Sequence, residues 1–467
     1  MTANATPGGT LLPATLDRPS PAGSAPLVAA SVPVGDAAVA AVRRLARRAG
    51  RLVEGDSFAL LGCGVAAHLE LPDGLGAPGA ATEASRLLAE LGPSAIAVGA
   101  LPFDPSAPGR LTVPVVTVTM GTATAAPRLV VVASPATAEL LAARLAGCSP
   151  GPELERLLAE IAGSEVAGSE DDGSEDDGAG ATREGAAGDA GTPPDGFELS
   201  SARPHADFSR RVAGAVAAIR AGWGGLEKVV LAREVSIVAN RPLRQHDLVE
   251  RLRALHPSCA TFAVDGFVGA SPELLCARSG DAVRSVPLAG TVARSGDPDE
   301  DDRLADGLRS SGKDRAEHAV VVRAILADLG TYCHELAASD EPTLVELRNV
   351  SHLASTISGR LVAPASALEL AATLHPTPAV GGWPREAALA YLAAHEGIDR
   401  DRYAGPVGYL EGSGDGAFWV GIRSALVEGT RARLLAGVGI VDGSDPAAEL
   451  AETQLKLQAL LAAAVRP

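Results

Sequence analysis

Aromatic residues are scarce, 3% of 467, so any core has to be assembled mainly from Leu, Val and Ala. Cysteine is scarcer still. The five (Cys63, Cys148, Cys259, Cys276, Cys333) are an odd number with no C-x-x-C pair, which argues against a zinc site or a disulfide framework and for buried reduced thiols. No uninterrupted apolar run reaches the ~18 residues that a membrane helix needs. The start of the chain has neither a basic segment nor a continuous apolar one. The expectation is a soluble, cytoplasmic protein away from membranes. Basic residues are outnumbered, 40 against 57 acidic, and no basic patch interleaved with aromatics offsets this. That balance argues against nucleic-acid binding, which rests on Lys and Arg neutralising phosphates.

The acid excess is uneven. Of the formal charge of -17, residues 163–196 carry -9, ten acids against Arg183 alone, and they include the tandem GSEDDGSEDDG. Like charges among Gly and Ser repel and solvate, so 163–196 reads as a disordered insertion. Residues 1–26, rich in Pro, Thr, Ala and Gly, read as a disordered tail. Strand-like FALLGCGVAAHLEL and LTVPVVTVTM alternate with helical ATEASRLLAELG before the insertion. Order resumes at about Phe197, with a helix ending near Ala221 and then the strand KVVLAREV. TFAVDGFVGASPELLCAR, AFWVGIRSALVEG and RLLAGVGIV read as sheet, while KDRAEHAVVVRAILADLGTYCHEL and AAELAETQLKLQALLAAAV read as amphipathic helices. The class is mixed α/β, and 27–467 is expected to be one domain interrupted by 163–196.

Several residues carry possible chemistry. Glu449, Glu452 and Lys456, spaced i, i+3, i+7, lie along one helix face. A solvated salt-bridged face is the plain reading. The preceding AGVGIVDGSDP, whose small residues let the backbone approach a neighbour closely, weakens that reading and keeps a site open. Glu317, with Asp314 one turn earlier, is a second source of carboxylates; two such helices without clustered His or Cys suit a hard ion such as Mg²⁺. Lys228 shares a strand face with Val230 and Ala232, an odd neighbourhood for an ammonium. It either reaches solvent at the strand end or is buried, and desolvation disfavours a lysine's charged form and suits it to act as a base. Glu273, in the apolar GASPELL, is the matching candidate for an acid that keeps its proton.

These residues belong to a longer pattern. KVVLARE, FVGASPELL, VPLAGT, KDRAEH, the SHL of NVSHLAST, LHPTPAVGG, YAGPVGY, WVGIRSA, AGVGIV and AETQLKL follow the order and rough spacing of the chorismate-utilising enzymes. From about Phe197 onward the chain resembles the isochorismate synthases of that family, and from Leu27 to Ala162 it resembles them only in general pattern. The resemblance implies two packed antiparallel sheets with helices outside, and a Mg²⁺-dependent, reversible conversion of chorismate to isochorismate. It casts Lys228 as the base that activates water and Glu273 as the acid that protonates the departing hydroxyl. Glu317 and Glu452 match the metal carboxylates, with Glu449 and Asp314 beside them. Arg423, Tyr403 and Lys456 match groups that hold the enolpyruvyl carboxylate. Gly437, Gly290 and Thr291 match positions where the backbone lies against substrate, and His352 matches a pocket histidine, substrate contact or hydrogen-bonded core residue. His318 and His375 are left structural, and no spacing selects Arg233, Arg278 or Arg294.

The lysine at position 228 resembles the water-using branch of the family, so no amidotransferase subunit is expected and a monomer is. Two other readings stay open: a salicylate synthase that goes on to release pyruvate, and a noncatalytic chorismate-binding homologue. Whether the product feeds quinone or siderophore synthesis is not written in these motifs.

Overall fold

The computed structural model describes residues 14–17, 26–34, 50–55, 58–120, 127–138 and 192–465, with a few isolated positions between them. Short segments rich in Val, Leu and Thr form strands, and these pair antiparallel into sheets of ten, twelve and three strands. In the ten-stranded sheet, Thr15–Asp17, Ala67–Leu71, Gly109–Val113 and Ile96–Ala100 occupy one end. Pro406–Glu411, Gly416–Val420, Leu274–Ser279, Ala282–Val286, Ile357–Leu361 and Cys333–Ala338 follow in spatial order. The twelve-stranded sheet is divided in the same way. Phe197–Ser201, Lys228–Ala239, Arg431–Ile440, Ser424–Glu428, Phe267–Ser271 and Ala260–Val264 lead to Arg51–Gly55, Phe58–Cys63, Val116–Met120, Arg128–Ala133 and Val28–Pro33, and the two-residue Gly382–Trp383 pairs with the start of Lys228–Ala239 as the twelfth. Each sheet therefore has one seam between early and late strands, where Gly99 faces Gly408 and Val53 faces Phe262.

The expected aliphatic core is present: Leu60, Leu61, Leu69, Leu111 and Leu129 are fully buried, with only Phe208, Phe262 and Phe418 as comparably enclosed aromatics. Phe58 of the twelve-stranded sheet stacks on Trp419 of the ten-stranded one, ring centroids 5.1 Å apart, and so ties the two together. Helices His205–Arg220, Gln245–Leu255 and Pro446–Val465 cover the larger sheet, and Ala80–Glu90 and Ala367–Leu374 the other. Cys63, Cys259, Cys276 and Cys333 are buried thiols outside any disulfide; Cys148 lies outside the described residues. No described helix is long and apolar enough to cross a membrane.

The structure departs from the sequence reading in four places. A third sheet, Leu288–Ala293, Val350–Ala354 and Thr343–Glu346, stands apart from the two expected ones. The segment KDRAEHAVVVRAILADLGTYCHEL is not one helix: Gly312–Leu329 ends at Gly330, whose N–H bonds the Leu326 carbonyl, and Cys333–Ala338 is an edge strand. Gly330 keeps a right-handed φ of −59°, and the chain turns through Thr331 and Tyr332 into the strand, an end that the amphipathic period does not announce. Thr15–Asp17 falls in the stretch read as tail, yet it pairs with His68–Glu70, because Ala14 is buried and Leu16 packs on the core. Residues 163–191 of the acidic stretch lie outside the described residues, but its end is tied down through Asp195, which accepts from Asn240 and pairs with Arg241.

Candidate active site

Two chain crossings between the large sheets create the site. Pro272 and Glu273 alone link Phe267–Ser271 to Leu274–Ser279, and Gly421, Ile422 and Arg423 link Gly416–Val420 to Ser424–Glu428. The crossings are laced together by the Val420 N–H donating to the Glu273 carbonyl and the Ala270 N–H donating to the Arg423 carbonyl. Neither crossing leaves room for its polar side chain to escape to water: Glu273 is 3% exposed and Arg423 6%. Arg423 also holds a positive φ of 50°, a left-handed conformation that costs a non-glycine residue energy and persists only where the surroundings impose it.

These crossings open on a cavity of about 350 Å³, at the lower end of the range for small-molecule sites. All of the residues singled out from the sequence line it: Lys228 and Glu273; Gly290, Thr291, His352, Tyr403, Arg423, Gly437 and Lys456; and Glu317, Glu449, Glu452 and Asp314. Lys228 does not reach solvent. It is 5% exposed and its Nζ pairs with Glu317 Oε1 at 2.7 Å. Burial pushes the Glu317 carboxyl up, but the Lys228 charge and hydrogen bond outweigh that and hold it below the ordinary carboxylate value. Burial acts on Glu273 with less opposition and pushes it up to about 8, so this carboxyl keeps its proton at neutral pH.

Lys456 Nζ pairs with Glu452 at 2.8 Å and donates to the Gly437 carbonyl at 2.9 Å. The i, i+4 salt bridge expected of a solvated helix face does form, but it lines the cavity. Burial opposes the Lys456 charge, and Glu452 more than offsets it, raising the net value. Glu449 is pushed up by burial, reinforced by the carboxylates of Glu452 and Glu317. Burial likewise raises Tyr403. Arg423 Nη2 donates to His352 Nε2 at 2.8 Å, while Nη1 is buried with no hydrogen-bond partner. A buried, unsatisfied guanidinium N–H that borders a cavity is suited to an anionic ligand.

The expected metal carboxylates do not form a ready cage. Among the described residues no three His, Cys, Asp or Glu side chains converge as a metal group, and Glu317 and Glu452 each face a lysine. His318 and His375 are structural: their Nε2 atoms meet Ser355 Oγ and the Phe103 carbonyl, both at 2.8 Å. Arg233 bonds Thr453, Arg278 bonds Gly280 and Ser413, and Arg294 pairs with Asp301 and Glu346, all away from the cavity.

Among the lining residues that escaped the sequence reading, Lys313 and Gly439 bear on the chemistry. Lys313, exposed one turn before Glu317, brings a further cation to the wall. Gly439 seats the Lys228–Glu317 pair, since a Cβ there would lie 2.8 Å from Lys228 Cε and 2.9 Å from Glu317 Oε1. The signal for Gly439 was present in AGVGIV as a spacing of small residues, but nothing in a strand sequence says what crosses above it.

Two sheets that close on a cavity holding a protonated carboxyl, two lysine–carboxylate pairs and an arginine with a vacant N–H define an α/β protein built to receive a small anion. A family model described as chorismate binding enzyme matches residues 187–465, and the chain belongs to that family. Over 284 residues, 59% of this chain and 56% of the relative, it is 44% identical to the salicylate biosynthesis isochorismate synthase of Pseudomonas aeruginosa. It is 42% identical over 252 residues, 51% of this chain and 63% of the relative, to isochorismate synthase DhbC of Bacillus subtilis. The match thus spans less than two thirds of either relative. Among solved structures, the protein described as a 2,3-dihydroxybenzoate-specific isochorismate synthase, DhbC, from Bacillus anthracis superposes with a TM-score of 0.72 at 29% identity, covering 91% of this chain and 99% of that one. The menaquinone-specific isochorismate synthase MenF of Escherichia coli, at 24% identity and a TM-score of 0.73 over 95% of both chains, shares the fold.

Proposed function

We propose that the chain is an isochorismate synthase, converting chorismate reversibly to isochorismate with Mg²⁺ as cofactor. The observation that carries the reading is the placement of Glu273, 3% exposed, in the cavity that also holds Lys228 and the unpartnered Nη1 of Arg423; burial pushes its carboxyl up, towards the protonated form. Lys228 is the base that takes a proton from water as the oxygen attacks ring C2. Glu273 gives its proton to the C4 hydroxyl, which leaves as water while the ring double bonds shift. One proton is taken by Lys228 and one given by Glu273, and exchange through solvent returns a proton to Glu273 and removes one from Lys228 before the next turnover. Arg423 Nη1 takes the enolpyruvyl carboxylate, with the Tyr403 hydroxyl and the remaining N–H of Lys456 beside it. Gly437 lets the backbone come close, since a Cβ there would sit 3.1 Å from Val230 Cγ1 and 3.2 Å from Tyr403 Oη.

The donor set suits magnesium. Glu317 and Glu452 both raise Glu449, so their carboxylates lie near it on the partly exposed wall of the cavity, and all the donors there are oxygen. Mg²⁺ needs only one or two carboxylates with waters and substrate, so the absence of a three-ligand cage is no obstacle. Glu317 and Glu452 would hold it, with Glu449 beside them, and its charge would neutralise the ring carboxylate. The protein is further proposed to work in the cytoplasm as a monomer, without an amidotransferase partner.

The deciding experiment incubates purified protein with chorismate and Mg²⁺, without ammonia, and separates the products by chromatography. Isochorismate is expected. Salicylate with pyruvate would replace this reading by a salicylate synthase, and no turnover would leave a binding protein.

A further inference from the structure

His352 sits between two partners that leave its ring no choice. Arg423 Nη2, 2.8 Å from Nε2, can only donate, so Nε2 has to present a lone pair. The Gly290 carbonyl, 3.1 Å from Nδ1, can only accept, so Nδ1 has to carry the proton. Thr291 Oγ1 lies 3.2 Å from the same Nδ1 and can share that proton while keeping its own for the cavity. The backbone builds this arrangement. Thr291 faces His352 directly in the third sheet, and the register shifts between Ala289 and Thr291, at Gly290, whose φ of 76° is open to glycine. The bulge aims the Gly290 carbonyl at the imidazole.

Both ring nitrogens are therefore occupied. A second proton on the ring would remove the only acceptor of Arg423 Nη2 and set two cations together in a buried place. Burial, with the charges of Arg423 and Lys456, holds His352 well below the ordinary histidine value. Arg423 meanwhile stands on a strained backbone, with one arm of its fork on His352 and Nη1 unpartnered.

We propose that His352 is a positioning residue, a neutral imidazole of fixed tautomer that aims the Arg423 guanidinium at the substrate carboxylate and neither gives nor takes a proton in the reaction. The proposal rests on the reading of the cavity as a chorismate site. It assigns His352 to substrate affinity rather than to the proton transfers, which remain with Lys228 and Glu273.

The test compares wild type, His352→Ala and His352→Gln in the full chain with chorismate and Mg²⁺. Glutamine carries an amide oxygen about as far from the backbone as Nε2 and can accept from Arg423. The alanine variant is expected to raise KM at least tenfold with a smaller loss of kcat. The glutamine variant should return KM to within about threefold of wild type and keep both limbs of the pH profile. Loss of kcat by a hundredfold in both variants, with a limb gone from the profile, would make His352 a proton-transfer group and overturn the proposal; so would a glutamine variant no better than alanine. A second measurement stands apart from activity: long-range ¹H–¹⁵N correlations of the ring in the wild type. A proton on Nδ1 and a bare Nε2 at neutral pH are expected, and an Nε2–H tautomer or an imidazolium would sink the idea. If the wild type does not turn over chorismate, the functional reading fails, and the tautomer still decides the arrangement around Arg423.

Discussion

Strands from before the acidic stretch and strands from after it share both large sheets, yet every residue lining the cavity lies at Lys228 or beyond. The family model stops at the same divide, starting at 187, whereas the superposed structures cover nearly the whole chain. The early strands have only to extend a sheet and bury one face, which many apolar sequences do equally well. The late ones must deliver particular side chains to particular points. Sequence similarity therefore fades where the demand is for pattern, and persists where it is for chemistry.

Substitutions can test this division. The largest effect is expected from Lys228→Ala, which removes the base: kcat should fall by about 10²–10⁴-fold with KM little changed. Normal turnover would take the base assignment away from this strand. Glu273→Gln should lose turnover on a similar scale and show a pH signature in stability. The Glu273 carboxyl titrates at about 8 when folded against 4.5 as its ordinary value, so the native state binds the proton more tightly. Its ionisation weighs against folding progressively as pH rises from 4.5, and in full above 8. Glutamine removes that penalty, so the variant should gain on wild type between pH 5 and pH 8, by roughly a few kcal/mol in chemical denaturation. A constant difference across that range would mean that Glu273 is not held protonated.

The smallest effect on activity belongs to the seam. A Cβ on Gly99 would lie 2.4 Å from Leu111 Cδ2 and 2.8 Å from the Arg110 carbonyl. Gly99→Ala should therefore cost about 1–3 kcal/mol of stability and leave kcat/KM within about twofold. A tenfold loss of activity at unchanged stability would show that the early strands shape the site after all.

Much of the site was legible because its residues sit in short peptides whose types and order are unusual: a lysine opening an apolar strand, a glutamate after Ser-Pro, carboxylates one turn apart on a helix. What was not legible lies between elements. Lys228 and Glu317 were assigned separate roles, and no spacing within a strand or helix could announce their 2.7 Å contact. His352 remained ambiguous until Arg423 and Gly290 were seen on its two sides. The third sheet was hidden because VPLAGT and NVSHLAST are short and lack a long alternating run. The helix Pro298–Ser310 could have been read, since Asp297 caps it, proline opens it and three acids fill its first turn.

The seams also set a timetable for synthesis. Gly99 waits for Gly408, and Val53 for Phe262, so each early half-sheet emerges with a bare edge whose partner is encoded far downstream. At about 5–20 residues per second, some 300 residues separating Gly99 from its partner amount to roughly 15–60 s on the ribosome. An unpaired strand edge templates association with other chains. The longer that edge stays bare, the more the yield of folded protein depends on its being covered until the downstream strand arrives.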